Sequence, residues 1–370
     1  MKKKILFIGN SLDGGGAERI LIDILRNFDY NRYDVDLVLI YGVGVYMKDI
    51  PSNVNYLGAI YTGGTYIYEN ELPSVQSEWQ NESSAIKQLV KGHYDTIVSF
   101  IEGFAARFHQ YLLNQASKNV SWVHIDLYVN HWSQECYESD QEEAKVYTLM
   151  DKVVFVSQSA LDAFRRLFQY TKDNLTVIHN PIDKERITRL SKEREIIREV
   201  FSFVAVGRLC HQKRYDRMLK ASKVLHDRGC DFQLNILGAG DLESEIKDQI
   251  QNFGLEDKVK LHGFVYNPYL YMKNSDVFLL SSDAEGFPTV VCEAMTLGVP
   301  VIGTNVTGTR DLLGNSEYGL LTDLSPESFA DAMYQMYSDK KLRAYFANMS
   351  LERAKSLSVD GAMHHIYSLL

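Results

Sequence analysis

Short apolar runs rich in β-branched residues alternate with amphipathic stretches from one end of the chain to the other. In the first half the runs are ILFIG (5–9), VDLVLI (35–40), DTIVSF (95–100), VSWVH (120–124), KVVFVS (152–157) and LTVIH (175–179). Between the first two, Ile20, Leu21, Ile24, Leu25 and Phe28 recur with helical period and predict a helix with one buried stripe. The pattern restarts with FSFVAVG (201–207), FQLNILG (232–238), VKLHG (259–263), DVFLLSS (276–282) and VPVIGT (299–304). Tyr215, Met218, Leu219, Ser222 and Leu225 give the first helix of this half a similar face. Near-continuous apolar strands separated by helices predict parallel sheets covered on both faces. Residues 181–200 are charged and lack a strand pattern, which predicts a linker containing a short exposed helix. The expected fold class is α/β: two doubly wound, Rossmann-like parallel-sheet domains, 1–180 and 201–355, facing each other across a cleft.

Composition narrows the function. Of 370 residues, 45% are hydrophobic and 24% charged, enough apolar material for two or three globular domains. The formal charge of -9 argues against nucleic acid as a partner, because phosphate-backbone binding needs a basic surface. No apolar run approaches the ~20 residues of a membrane span, and the apolar stretch Ile5 to Ile8 is too short for a signal peptide. Cys136, Cys210, Cys230 and Cys292 are scattered, with neither metal nor disulfide spacing. These features predict a reducing, cytoplasmic setting. Residues 58–84, rich in Gly, Tyr and polar side chains, break the rhythm and predict a long loop.

Open parallel sheets bind ligands beyond the carboxyl ends of their strands, and the unusual polar residues gather there. Gly14, Gly15 and Gly16 follow the first strand run, Glu102 follows DTIVSF, and His124 closes VSWVH, with Asp126 just beyond. The glycine loop fits neither G-x-G-x-x-G nor the Walker pattern, so it predicts a phosphate- or sugar-approach loop of another type. Glu18, in the first turn of the following helix, is expected to cap it. Asp34 and Asp36 form a D-x-D, but they enter their strand at its amino end, away from the expected cleft, so no metal site is predicted there.

In the second half, Arg208 follows a strand and Lys213 is expected at the start of the next helix. Two cations beside a helix N-terminus make a diphosphate clamp. In SSDAEGFPTVVCEAMTLGVPVI (281–302), Glu285 precedes a Gly-Phe-Pro turn and Pro288 is expected at the first helical position. Glu293 then falls on a mostly apolar helix, where a carboxylate needs a partner. Sugar or ribose hydroxyls are suitable partners, and the amides at 289–291 could hold phosphate.

This last segment closely resembles the E-x7-E signature of the retaining glycosyltransferases of family 4, which have the GT-B fold. The resemblance extends to the GGGAERI loop, WVHID (122–126), VSQS (156–159), HNPID (179–183) and ILGAGDLESEI (236–246). It implies that Arg208 and Lys213 bind the donor diphosphate, Glu293 the ribose, and Glu285 the transferred sugar. Gly15 and Gly16 would meet the phosphates, and His124 would lie near the anomeric carbon. Gly238 and the backbone from His262 to Phe264 would line the base, and Phe287, Pro288, Thr289 and Val290 would complete the donor site. Glu102 and Asp126 are expected on the acceptor side. Residues 356–370, with Ser358 as a cap, would form a helix returning to the N-terminal domain.

The implied reaction is metal-independent transfer, needing no cofactor, of a hexose or N-acetylhexosamine from a nucleotide sugar, UDP being preferred, to a saccharide or lipid-linked acceptor. Enzymes with EGFPTVVCEAM resemble those building bacterial surface polysaccharides. Lys2–Lys4, Arg165, Arg166 and Lys172 are candidates for peripheral contact with an anionic bilayer. Two alternatives stay open: a sugar-nucleotide epimerase of the same fold, and a non-catalytic nucleotide-sugar-binding subunit.

Overall fold

A computed structural model describes residues 2–62, 82–194 and 200–370. The chain forms two compact units, Met1–Pro181 with Asp360–Leu370, and Ile182–Val359. In the first, strands β1 (Lys3–Gly9), β2 (Tyr33–Tyr41), β3 (Val54–Tyr61), β4 (Tyr94–Ser99), β5 (Ala116–Val123), β6 (Lys152–Phe155) and β7 (Leu175–Val177) form one sheet. Its order is β3-β2-β1-β4-β5-β6-β7, and every pairing is parallel. The helices are α1 (Gly16–Arg26), α2 (Glu82–Leu89), α3 (Phe104–His109), α4 (Asp140–Thr148) and α5 (Gln158–Phe168).

The second unit opens with α6 (Lys184–Leu190) and continues through β8 (Phe201–Val206), α7 (Tyr215–Asp227), β9 (Phe232–Leu237), α8 (Glu243–Asn252), β10 (Val259–Leu261) and α9 (Tyr269–Lys273). It closes with β11 (Val277–Leu280), α10 (Thr289–Thr296), β12 (Val301–Thr304), α11 (Thr307–Leu313), β13 (Leu320–Thr322), α12 (Pro326–Ser338) and α13 (Lys340–Lys355). The sheet order β10-β9-β8-β11-β12-β13 is again all parallel. In both units the order reverses beside the first strand, and the loops after the central strands open there.

The cores follow the hydrophobic pattern. Ile20, Leu21, Ile24, Leu25 and Phe28 are all buried, and so are Tyr215, Met218, Leu219, Ser222 and Leu225. Two strands, β3 and β13, were not expected. Both are edge strands, as are β7 and β10, which were expected; Asn55 and Gly58 interrupt β3, and β13 carries only Leu320 and Leu321 as apolar residues. Most of the expected loop at 58–84 lies outside the described residues; the described part at its start belongs to β3. The helix expected in the linker is α6, but it is not freely exposed. Ile187 is 2% exposed and Lys184 Nζ donates to the Ala354 carbonyl (3.1 Å), so α6 belongs to the second unit.

The last helix, α14 (Val359–Leu369), packs its carboxyl end on the first unit. Tyr367 stacks on Tyr33 (5.4 Å between centroids) and its hydroxyl donates to the Asn27 carbonyl (3.0 Å). Lys3 Nζ reaches the Leu370 carbonyl (3.1 Å). Lys2 pairs with Asp34 and Lys4 with Asp36, each at 3.3 Å. Asp36 also accepts from Tyr94 Oη (2.7 Å) and Asn55 Nδ2 (2.9 Å). The D-x-D is thus a charge and hydrogen-bond anchor at the amino end of β2, and the cations at 2–4 that were candidates for a membrane have partners inside the protein. Lys172 likewise donates to the Thr148 (2.7 Å) and Met150 (3.1 Å) carbonyls.

Candidate active site

In the second unit, the chemistry gathers where the β8–α7 and β11–α10 loops meet. Lys213 lies in a short 3₁₀ turn, His211–Lys213, one turn before α7 rather than on that helix as expected. Its ammonium stands 2.6 Å from Glu285 Oε1, and Ser282 Oγ donates to the same oxygen at 2.6 Å. Both charged side chains are largely removed from water. Arg208, half-buried, follows β8 by two residues.

A polar lattice holds the two loops in place. Arg217, 2% exposed, donates to the Ser281 (2.5 Å) and Leu324 (2.7 Å) carbonyls and pairs with Asp283 at 2.7 Å. Arg214 pairs with the other oxygen of Asp283 (2.7 Å) and with Asp216 (2.8 Å). These partners, led by the Asp216 hydrogen bond, raise the Arg214 pKa, and the hydrogen bond from Arg214 in turn lowers that of Asp216. Asp216 and Asp283 also hold Arg214 at φ 50°, a left-handed conformation that costs a side-chain-bearing residue about 1–2 kcal/mol. Gln212 Nε2 donates to the Ala284 carbonyl (2.6 Å), and the Asp283 amide to the Gln212 carbonyl (2.9 Å).

Pro288 was expected as the first helical residue but is the N-cap of α10, with extended backbone (ψ 100°), so Thr289 begins the helix. Its rigid ring presets the chain direction one residue earlier than expected. Phe287 is buried, whereas Thr289 and Val290 are half-buried. Glu293 is buried on α10 and accepts from Tyr269 Oη at 2.8 Å. The partner its apolar helix required is therefore supplied in part by α9.

Gly238, beyond β9, packs so closely on β8 that a Cβ would overlap the Gly207 carbonyl, and its φ of 155° also favours glycine. His262 Nε2 bonds Asn235 Oδ1 (2.8 Å), with its ring 4.7 Å from that of Tyr271; burial lowers its pKa. Phe264, two residues on, is exposed.

In the first unit, Gly15 is the N-cap of α1 and Gly16 its first residue. A Cβ on Gly15 would overlap the Glu18 carboxylate, which folds back over the start of its own helix. The position of the Glu18 carboxylate therefore accounts for part of the glycine requirement. His124 directly follows β5, with its ring 4.8 Å from that of Phe100. Burial lowers its pKa to about 3, opposed by a hydrogen bond with the Phe100 backbone.

Buried His124 Nε2 has no hydrogen-bond partner among the described residues, and neither have Asn10 Nδ2 and Ser11 Oγ beyond β1. Such orphaned groups cost about 1–3 kcal/mol each and are uncommon in folded proteins. All three follow strands in the run β1-β4-β5. Asn10 and Ser11 carried no motif; their only sequence signal was position, immediately after β1.

Glu102 and Asp126, expected to face an acceptor, are buried and engaged inside the protein. Glu102 accepts from the His124 amide (2.8 Å) and Trp132 Nε1 (2.9 Å), and Asp126 Oδ1 from the Tyr128 (3.0 Å) and Val129 (3.1 Å) amides. Burial raises the Glu102 pKa.

Two family models match end to end: Glycosyltransferase Family 4 over residues 14–186 and Glycosyl transferases group 1 over residues 186–353. An uncharacterized glycosyltransferase of Methanocaldococcus jannaschii is 28% identical over 251 residues, 58% of this chain and 62% of the relative. The N-acetylgalactosamine-N,N'-diacetylbacillosaminyl-diphospho-undecaprenol 4-alpha-N-acetylgalactosaminyltransferase of Campylobacter jejuni is 32% identical over 213 residues, 57% of either chain. The chain thus spans about three fifths of each of these relatives. Among solved structures, HepE of Anabaena in complex with UDP and glucose superposes with a TM-score of 0.78 at 21% identity, covering 99% of this chain and 98% of that one. The fold is GT-B, with two Rossmann-like parallel-sheet domains.

Proposed function

We propose that this chain is a glycosyltransferase, with a family 4 amino-terminal and a group 1 carboxyl-terminal domain, and that it carries out retaining, metal-independent sugar transfer from a nucleotide sugar. The sugar is a hexose or N-acetylhexosamine, the nucleotide UDP, and the acceptor a saccharide or lipid-linked saccharide. UDP is favoured by the HepE complex, and a diphospho-undecaprenol-linked acceptor by the Campylobacter relative. The work is assigned to the cytoplasmic face of a membrane carrying such an acceptor; no helix among the described residues is long and apolar enough to cross one.

The observation that carries this reading is the meeting of Lys213 and Glu285 at the carboxyl edge of one sheet, beside the N-terminus of α10. Arg208 and Lys213 neutralise the charge that grows on the diphosphate as the bond from its oxygen to the anomeric carbon breaks. Preorganised cations and helix amides do this without reorganisation at the moment of reaction. Glu285 binds hydroxyls of the sugar as its ring gains positive charge. Glu293 and Tyr269 hold the ribose, while Gly238 and the backbone at His262–Phe264 line the base. The acceptor oxygen bonds the anomeric carbon on the face the phosphate leaves, and its proton passes to the departing phosphate. His124 supplies its unpartnered nitrogen to the reacting sugar, with Gly15 and Gly16 at the phosphates.

The test is a panel of UDP-, GDP- and ADP-sugars scored for nucleoside diphosphate release, product mass and anomeric configuration. One donor should be consumed and yield a product with its original configuration. Donor interconversion without diphosphate release would identify the epimerase instead. Binding without release would leave a non-catalytic subunit.

A further inference from the structure

We propose that Glu102 is a positioning residue, stapling the segment from His124 to Trp132 so that His124 is presented to the reacting sugar in one fixed orientation. This rests on the transferase reading above. The carboxylate spans the segment: one oxygen takes the amide of His124 at its start and the other takes the indole N–H of Trp132 at its end. At 2% exposure, it is a poor candidate for direct contact with an acceptor.

The neighbouring residue completes the seat. Gly103 has φ 76°, and a Cβ there would stand 2.7 Å from Trp132 Cη2, so the indole ring occupies the space a side chain would take. Two further carboxylates stiffen the same segment. Asp126 closes its central turn through the Tyr128 and Val129 amides. Glu143, fully buried, accepts from His131 Nε2 (2.7 Å), Ser133 Oγ (2.6 Å) and Tyr147 Oη (3.2 Å). Between these anchors only the apex stands out, Tyr128 at 45% and Val129 at 57% exposure, with the Arg166 guanidinium 4.1 Å from the Tyr128 ring. A loop with buried anchors and an exposed tip is built to hold its ends still.

The staple is specific for a carboxylate, since both its partners donate. In Glu102→Gln, the amide nitrogen must face one of two N–H groups, so one bond is lost while the volume is kept. The experiment compares wild type, Glu102→Gln, Trp132→Phe and the double variant in steady-state transfer and in NMR of the Trp132 indole and His124 ring. Glu102→Gln should stay folded and lower kcat by about 10–100-fold, because small misplacements of a reacting group carry such losses. Its donor KM should change less than about 3-fold. The Trp132 indole and His124 ring signals should both move, and the double variant should lose no more than the worse single one. Unchanged kcat with unchanged His124 signals overturns the proposal, as do losses that multiply independently. If wild type turns over no donor, the transferase reading falls, and the His124 ring signals in Glu102→Gln still decide whether Glu102 orients it.

Discussion

Lys213 Nζ and Glu285 Oε1 stand 2.6 Å apart although 72 positions separate them in the chain. The cation assigned to the diphosphate and the carboxylate assigned to the sugar therefore neutralise each other. Two mostly buried charges are tolerable only because they are paired. A donor bringing both an anion and hydroxyls can replace one partner for each.

Lys213→Ala leaves the Glu285 carboxylate with Ser282 alone among the described residues. Removing one member of a largely buried pair is expected to cost on the order of 3 kcal/mol of stability, and nucleoside diphosphate affinity should fall as well. Urea unfolding and calorimetric titration with UDP measure the two losses. Lys213→Ala with Glu285→Gln should recover part of the stability but none of the affinity.

The two glutamates should separate kinetically. Glu293→Ala removes the carboxylate assigned to the ribose, which also accepts from the buried Tyr269 hydroxyl, so it should weaken diphosphate binding by about 1.5–3 kcal/mol per bond to the charged group. Glu285→Gln keeps shape but removes the charge facing a ring that becomes positive, so its loss should fall on single-turnover rate. The reverse pattern would exchange the two assignments.

Arg217→Lys tests the lattice behind the site. A lysine cannot reach Ser281, Leu324 and Asp283 together, so the β11–α10 loop should lose its register against α7. The expected result is a stability loss of roughly 2–4 kcal/mol and a fall in kcat with donor affinity less affected. Thermal unfolding and steady-state kinetics read both.

Excess chelator should leave donor turnover unchanged if, as proposed, Arg208, Lys213 and the α10 amides supply the positive charge at the diphosphate. Activity lost to chelator and restored by magnesium or manganese would reject this mechanism.

Acid should destabilise the first unit through His109. This histidine is buried between Ser99 Oγ (3.1 Å) and Asn119 Oδ1 (3.0 Å), and burial lowers its pKa from 6.5 to about 4. Between those values the unfolded chain binds a proton that the folded chain refuses. Stability is therefore full above pH 6.5 and falls as pH drops towards 4, by up to about 1.4 kcal/mol per pH unit. His124, lowered to about 3, adds in the same direction. Denaturant midpoints from pH 7 to pH 4.5 should fall less steeply in His109→Gln than in wild type.

The sequence by itself determined the periodic elements and the chemistry at their ends. Central strands carry long apolar runs because both faces are covered, and helices such as α1 show one buried stripe, so each is legible from local pattern alone. Positions after strands singled out Arg208, Lys213, Glu285 and His124 as candidates for the same reason: the carboxyl edge of a parallel sheet is defined by the strands that precede it. Glu293 stood out as a carboxylate on an apolar helix. Strands β3 and β13 were not legible, because Asn55 and Gly58 interrupt the apolar run of the one and the other has only Leu320 and Leu321. Tertiary structure alone decided the pairings. That Lys213 meets Glu285, that Tyr269 serves Glu293, and that Glu102 turns inward to His124 and Trp132 all depend on loops and helices distant in sequence converging. No spacing in the chain encodes such contacts, since their energy comes from hydrogen bonds and charges desolvated together only after the sheet has ordered its strands.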